Sequence, residues 1–104
     1  MDLKELIDKS LKIREKYHKL EEKYHNSKWI IEEDTIAFLT DASLVGRLIM
    51  DKNGRWPINS KDINLDEKIG ECIWWLVVLA EKTNLNFEEC IEKFFKDKEE
   101  MLKE

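Results

Sequence analysis

Nine consecutive apolar residues, Cys72-Ile-Trp-Trp-Leu-Val-Val-Leu-Ala80, constrain this chain more than any other stretch. Wound at 3.6 residues per turn, they are apolar on every side, so they predict a central helix buried by neighbours all round. The run is far short of the roughly 20 residues that cross a bilayer, which leaves a protein core as its place. At 104 residues the chain has room for one ordinary domain and not for two cores, so residues 1–104 read as a single helical domain. Three Gly and one Pro are too few for a sheet of several hairpins.

The flanking segments supply the neighbours. Leu3, Leu6, Ile7, Leu11, Tyr17, Leu20 and Tyr24 recur at three-and-four spacing, which predicts an amphipathic helix from residue 2 to about residue 24. Asn26-Ser27 breaks the pattern. A second helix is expected from about Glu32 to Met50, with Glu32, Glu33 and Asp34 at its positive end and Phe38, Leu39, Ala42, Val45, Leu48 and Ile49 on its apolar side. Asp51-Lys-Asn-Gly54 reads as a stop, with Gly54 free to turn left-handed, and residues 51 to 63 form the one substantial loop. Trp56, in that loop, is a candidate plug for the core. Asn64-Leu-Asp-Glu67 resembles a capping box and opens the central helix, which should reach about Lys82. Asn86-Phe-Glu-Glu89 is a second box, opening a last helix that carries Phe87, Cys90, Ile91, Phe94 and Phe95. The expected architecture is all-α, a four-helix bundle-like domain.

Charge narrows the partners. Eighteen basic against 23 acidic residues give −5, which repels the phosphates of a nucleic-acid polymer. The N-terminal Lys4, Lys9, Lys12, Arg14, Lys16 and Lys19 alternate with acids such as Glu5, Asp8, Glu15 and Glu21, as on a solvated helix face. The first fifteen residues are charged throughout, so no signal peptide is expected, and the reading is a cytoplasmic protein without a membrane partner. Cys72 and Cys90, eighteen apart among apolar neighbours, read as buried free thiols. His18 and His25 read as exposed, and Ser10, Ser27, Ser43 and Ser60 lack the context of a nucleophile. The aromatic load of Trp74, Trp75, Phe94 and Phe95 is heavy for so short a chain to cover alone, which predicts a homodimer or higher homo-oligomer.

Chemistry can then reside only in carboxylates on helices. Asp41 lies mid-way along the apolar stretch Phe38–Val45, and Glu71 stands at the entrance to the most hydrophobic segment. A carboxylate near a core is costly unless a cation or metal pairs with it. On neighbouring helices the two could share a magnesium ion, or each could reach solvent or a lysine.

Two segments resemble the MazG-like family of all-α nucleotide pyrophosphohydrolases. Phe38-Leu-Thr-Asp-Ala-Ser-Leu-Val-Gly-Arg-Leu-Ile-Met50 is similar to the family's helix with an EExxE-like motif. Glu67 to Cys90 resembles its ExxD motif, apolar helix, short break and cap together. The resemblance spans roughly residues 29 to 100. It implies hydrolysis of nucleoside triphosphates to monophosphate and pyrophosphate, with water as nucleophile, magnesium on the acidic motifs, and dimers or higher oligomers.

Carried over position by position, the family's acids fall on Thr40, Asp41, Leu44, Lys68 and Glu71, so only Asp41 and Glu71 keep a carboxylate as metal ligands. Glu67 points about 100° away from the motif face. Lys68, one turn before Glu71, is expected to face Asp41 and set its ammonium where the metal would sit. Glu32, Glu33, Asp34 or a partner subunit's acids are the remaining sources of ligands. If the protein is active, Mg2+ is its cofactor, Trp74 or Trp75 would stack the base, and Lys93 and Lys96, with Lys98, would meet phosphates. No residue is assigned a catalytic role. The alternative is a non-catalytic, dimerising module on the same fold, serving nucleotide sensing or protein interaction.

Overall fold

The computed structural model describes residues 1–59 and 62–103; Ser60 and Lys61 of the expected loop, and Glu104, lie outside the described residues. Within them the chain is all-helical, in the order α1 (Leu3–His25), α2 (Ile31–Lys52), α3 (Leu65–Lys82) and α4 (Phe87–Met101). Among the described residues, no helix is long and apolar enough to cross a membrane.

Local chemistry sets the ends. The Asp2 carboxylate accepts the Glu5 amide at 2.8 Å and starts α1, and Asn26 closes it at φ 60°. Ile30 has no side-chain acceptor, so α2 is capped from the other direction: Glu33 reaches back to the Ile30 amide at 3.0 Å. Gly54, at φ 70°, ends α2 as its sequence position suggests, its amide bonding to the Asp51 carbonyl at 2.9 Å. Asn86 caps α4 by accepting the Glu89 amide at 3.0 Å. Asn64 is different: its side chain makes no capping bond, and the Asp66 carboxylate instead holds the Glu67 amide.

α2 and α3 run antiparallel, and one stripe of each meets the other. Asp34, Asp41 and Leu48, seven residues apart, are the buried positions of α2. Asp34 meets Lys82 and Asp41 meets Trp75, so pairing steps down α3 as it steps up α2. α1 packs across α3, tied by the Trp74 indole N–H donating to the Ser10 carbonyl at 2.9 Å, and α4 packs on α3 from elsewhere.

The core of this chain is smaller than the sequence implies. Among the described residues, the buried apolar ones are Leu48, Trp75, Val77 and Val78. The central helix is not covered all round: Ile73 is 39% and Leu76 40% exposed, because the side of α3 away from α1 and α2 is left open. Trp56 does not plug the core either. It stays more than half exposed, with the Arg47 guanidinium 3.5 Å from its ring centre and donating to the Pro57 carbonyl at 3.0 Å.

Candidate functional site

The α2–α3 seam holds the acidic pair. Asp41 projects from the middle of α2 and is buried; Lys68 and Glu71 project from the first turns of α3, three residues apart and therefore on one face. The Lys68 ammonium donates to Asp41 Oδ1 at 3.1 Å and to Glu71 Oε1 at 2.7 Å. The second Asp41 oxygen accepts the Trp75 indole N–H at 2.8 Å. The Glu71 hydrogen bond, opposed by burial and supported by the hydrogen bond and charge of Asp41, raises the Lys68 pKa above its ordinary value. The ammonium is therefore firmly charged, and it links the two carboxylates. Nearby, burial first and then the charges of Asp41 and Glu71 push the Cys72 thiol upward.

These residues do not fit a magnesium ion. The ion requires a near-octahedral shell of oxygens at about 2.0–2.1 Å. Here both Asp41 oxygens and one Glu71 oxygen already accept hydrogen bonds from protein donors. Two carboxylates and one ammonium leave a single net negative charge to attract a dication. The Thr40 hydroxyl donates to the Ile36 carbonyl at 2.9 Å, Leu44 is half-buried, and Glu67 is exposed. Among the described residues no three His, Cys, Asp or Glu side chains converge as metal ligands.

The acids at the start of α2 are engaged elsewhere, in a cluster that sequence reasoning missed. Asp34 is 0% exposed, and its Oδ1 accepts from Arg14 at 2.7 Å while Lys82 lies against its other oxygen. Arg14, 4% exposed, also donates to Glu21 at 2.7 Å, and Glu21 in turn accepts the Trp29 amide at 2.8 Å. His18 is not free in solvent: its Nδ1 is 3.1 Å from Glu21. Burial raises the Glu21 pKa, but the Arg14, Trp29 and His18 hydrogen bonds with the Arg14 charge outweigh it, and the net shift is downward. Two cations from α1 and α3 thus face two carboxylates from α1 and α2, a balanced cluster joining three helices. Arg14 and Glu21 therefore do not belong to the solvated face expected of them. The available signal was Asp34 standing one seven-residue step before Asp41; Arg14 gave none.

Beside the seam lies a cleft of about 320 Å3 between α1 and α3, walled by Tyr17, Tyr24, Trp29 and Trp74, with Trp75 and Arg14 at its base. Trp74 packs tilted against Trp75 at 4.5 Å and Tyr17 at 5.7 Å. Arg14 lies 5.7 Å from the Trp29 ring centre and 5.6 Å from that of Trp75. Glu71 borders the same cleft, so the acidic pair and the aromatic wall are adjacent. Lys93 and Lys96 are not brought there: both are exposed on α4, and Lys96 lines a separate hollow with Glu92, Glu99 and Glu100.

No protein-family model, curated protein or solved structure matches this chain. The likeness to MazG-like proteins is therefore carried by the two sequence segments alone. What the geometry itself defines is an all-α domain whose lysine-bridged acidic pair adjoins an aromatic cleft.

Proposed function

We propose that this chain is a MazG-like helical module that has given up metal-dependent pyrophosphohydrolysis and keeps its cleft for the base of a nucleotide. One observation carries the reading: the Lys68 ammonium, 3.1 Å from Asp41 and 2.7 Å from Glu71, takes the position a metal would need. Hydrolysis of a polyphosphate by water relies on a metal to orient the nucleophile and offset developing charge. Asp41 and Glu71 serve here as lysine partners.

The cleft supports the nucleotide part. Its rings suit a planar heterocycle, whereas its guanidinium, Arg14, is bonded to Glu21 and Asp34. Affinity should then come from the ring, with the phosphates adding little. The same reading makes the protein a cytoplasmic homodimer, supported by two free thiols and by extensive bare apolar surface.

Pyrophosphate release from a panel of ribo- and deoxynucleoside triphosphates, with magnesium and then manganese, tests the loss of chemistry. Silence is expected. Release that Glu71→Gln abolishes would overturn the reading. Titrating tryptophan fluorescence with nucleoside, monophosphate and triphosphate tests the cleft: similar affinities are expected, and quenching by none of the three would refute base binding.

A further inference from the structure

We infer that a second copy of this chain seats its α4 in the apolar groove between α3 and α4, reciprocally, so that the C-terminal helices form the core of the homodimer. Dimerisation belongs to the reading above; the face and the role of α4 are what the geometry adds.

The chain is more open than a compact monomer of its size. Its accessible surface is 8351 Å2, where a compact monomer of 12.5 kDa presents about 6,200 Å2. Its radius of gyration is 16.5 Å, against about 13 Å for a compact domain of this length. The excess, roughly 2,000 Å2, exceeds the about 800 Å2 per partner of a standard interface and falls in the range of obligate dimers.

Exposed apolar side chains lie on every helix, and those of α4 and the facing wall of α3 form one continuous groove. α4 contains no buried residue, and an isolated helix of its length is marginal in water. Phe94 and Phe95 are 56% and 55% exposed and pack edge to face at 5.5 Å. Consecutive helical residues point about 100° apart, so the apolar arc of α4 is wider than α3 alone can cover. Against it lies a groove of about 500 Å3 walled by Ile73 and Leu76 of α3 and by Leu85, Phe87, Cys90 and Phe94. The bare wall of α3 and the bare arc of α4 complement each other. A two-fold axis supplies both at once: each copy's phenylalanines cover the other's groove.

The occupant is testable by mass and by one thiol. Sedimentation equilibrium of the full chain at tens of micromolar should give twice 12.5 kDa. Phe94→Glu and, separately, Leu76→Glu should give monomers that keep helical circular dichroism, while Leu39→Glu, exposed on the back of α2, should leave the mass unchanged. Cys90, exposed in the protomer, should react with a maleimide at least tenfold more slowly in the concentrated wild type than after dilution to monomer. That comparison needs no variant, so it decides even if the substitutions unfold the chain. A monomeric wild type, equal Cys90 rates at all concentrations, or a dimer broken by Leu39→Glu and not by Phe94→Glu would each overturn the inference. None of these outcomes bears on pyrophosphate release, so the two proposals fail separately.

Discussion

Removing the charge of Asp34 should be among the most damaging single changes available in this chain. Asp34→Asn leaves Arg14 and Lys82 facing each other with Glu21 as the one remaining carboxylate of the cluster. Breaking a buried pair from one side costs about 3–5 kcal/mol, because a desolvated charge is left behind. The lower end applies here: Arg14 keeps Glu21, and the Lys82 side chain is partly exposed and still donates to the Trp29 carbonyl at 3.0 Å. About 3 kcal/mol is a large share of the roughly 5–15 kcal/mol that holds a domain of this size. At about 2.1 cal/mol/K of unfolding entropy per residue, it lowers the Tm by roughly 14 °C. Calorimetry and urea titration of wild type and variant at one matched concentration measure it. Replacing the whole cluster (Arg14→Met, Glu21→Gln, Asp34→Leu, Lys82→Met) should restore most of the loss, since none of the four then carries a buried charge. A loss under about 1 kcal/mol for Asp34→Asn, or a multiple variant worse than the single one, would refute the view that charge balance holds the three-helix junction.

Three further outcomes follow from the same contacts. Because the Glu21 pKa is lowered from 4.5, the unfolded chain binds its proton more readily; its stabilisation is complete above that value and is lost as pH falls through the folded pKa. Acid titration of Glu21→Gln should show a shallower decline than wild type. The Lys68 pKa is raised from 10.5, so its contribution is complete below that value and disappears as pH rises through the folded pKa; Lys68→Met should be less stable at neutral pH and less sensitive to base, as read by urea midpoints. In the monomeric Phe94→Glu background, iodoacetamide should modify exposed Cys90 well before Cys72, whose thiol is pushed upward by burial and nearby carboxylates; peptide mapping reads the order, and Cys72 reacting first would contradict it.

The helices were legible because their signals are local. Three-and-four spacing, Asn26, Gly54 and the Asn86 cap each act within a few residues and work in the fold as their positions suggest, although only the Asn86 half of the expected box forms. The Asp41–Lys68–Glu71 contact was legible for a related reason: a carboxylate inside an apolar stretch must find a cation, and Lys68 is one turn from Glu71. Arg14 was not legible. Among alternating charges on one helix, nothing local distinguishes the one that enters a core, and its partner Asp34 is twenty residues away, past a chain reversal. Exposure of α3 was misjudged because the segment's hydrophobicity says that something covers it and not that the same chain does.

The metal affinity of the seam can be tested through stability. In the wild type, Lys68 offsets two carboxylates, so magnesium has little to gain there and the Tm should be indifferent to magnesium or chelator. Lys68→Glu with Leu44→Glu reverses the balance, setting four carboxylates around a point with no cation among them. In chelator the variant should be destabilised by several kcal/mol, the cost of crowding like charges near a core. Magnesium, binding the folded state alone, should return RT ln(1 + [Mg]/Kd), about 2.7 kcal/mol at a hundred times Kd. This readout requires no turnover and no substrate. A variant that melts lower and stays low with magnesium would mean that the seam lacks the geometry of a metal site, and that Lys68 is a structural residue of the helix pair and not a replacement for a lost cation.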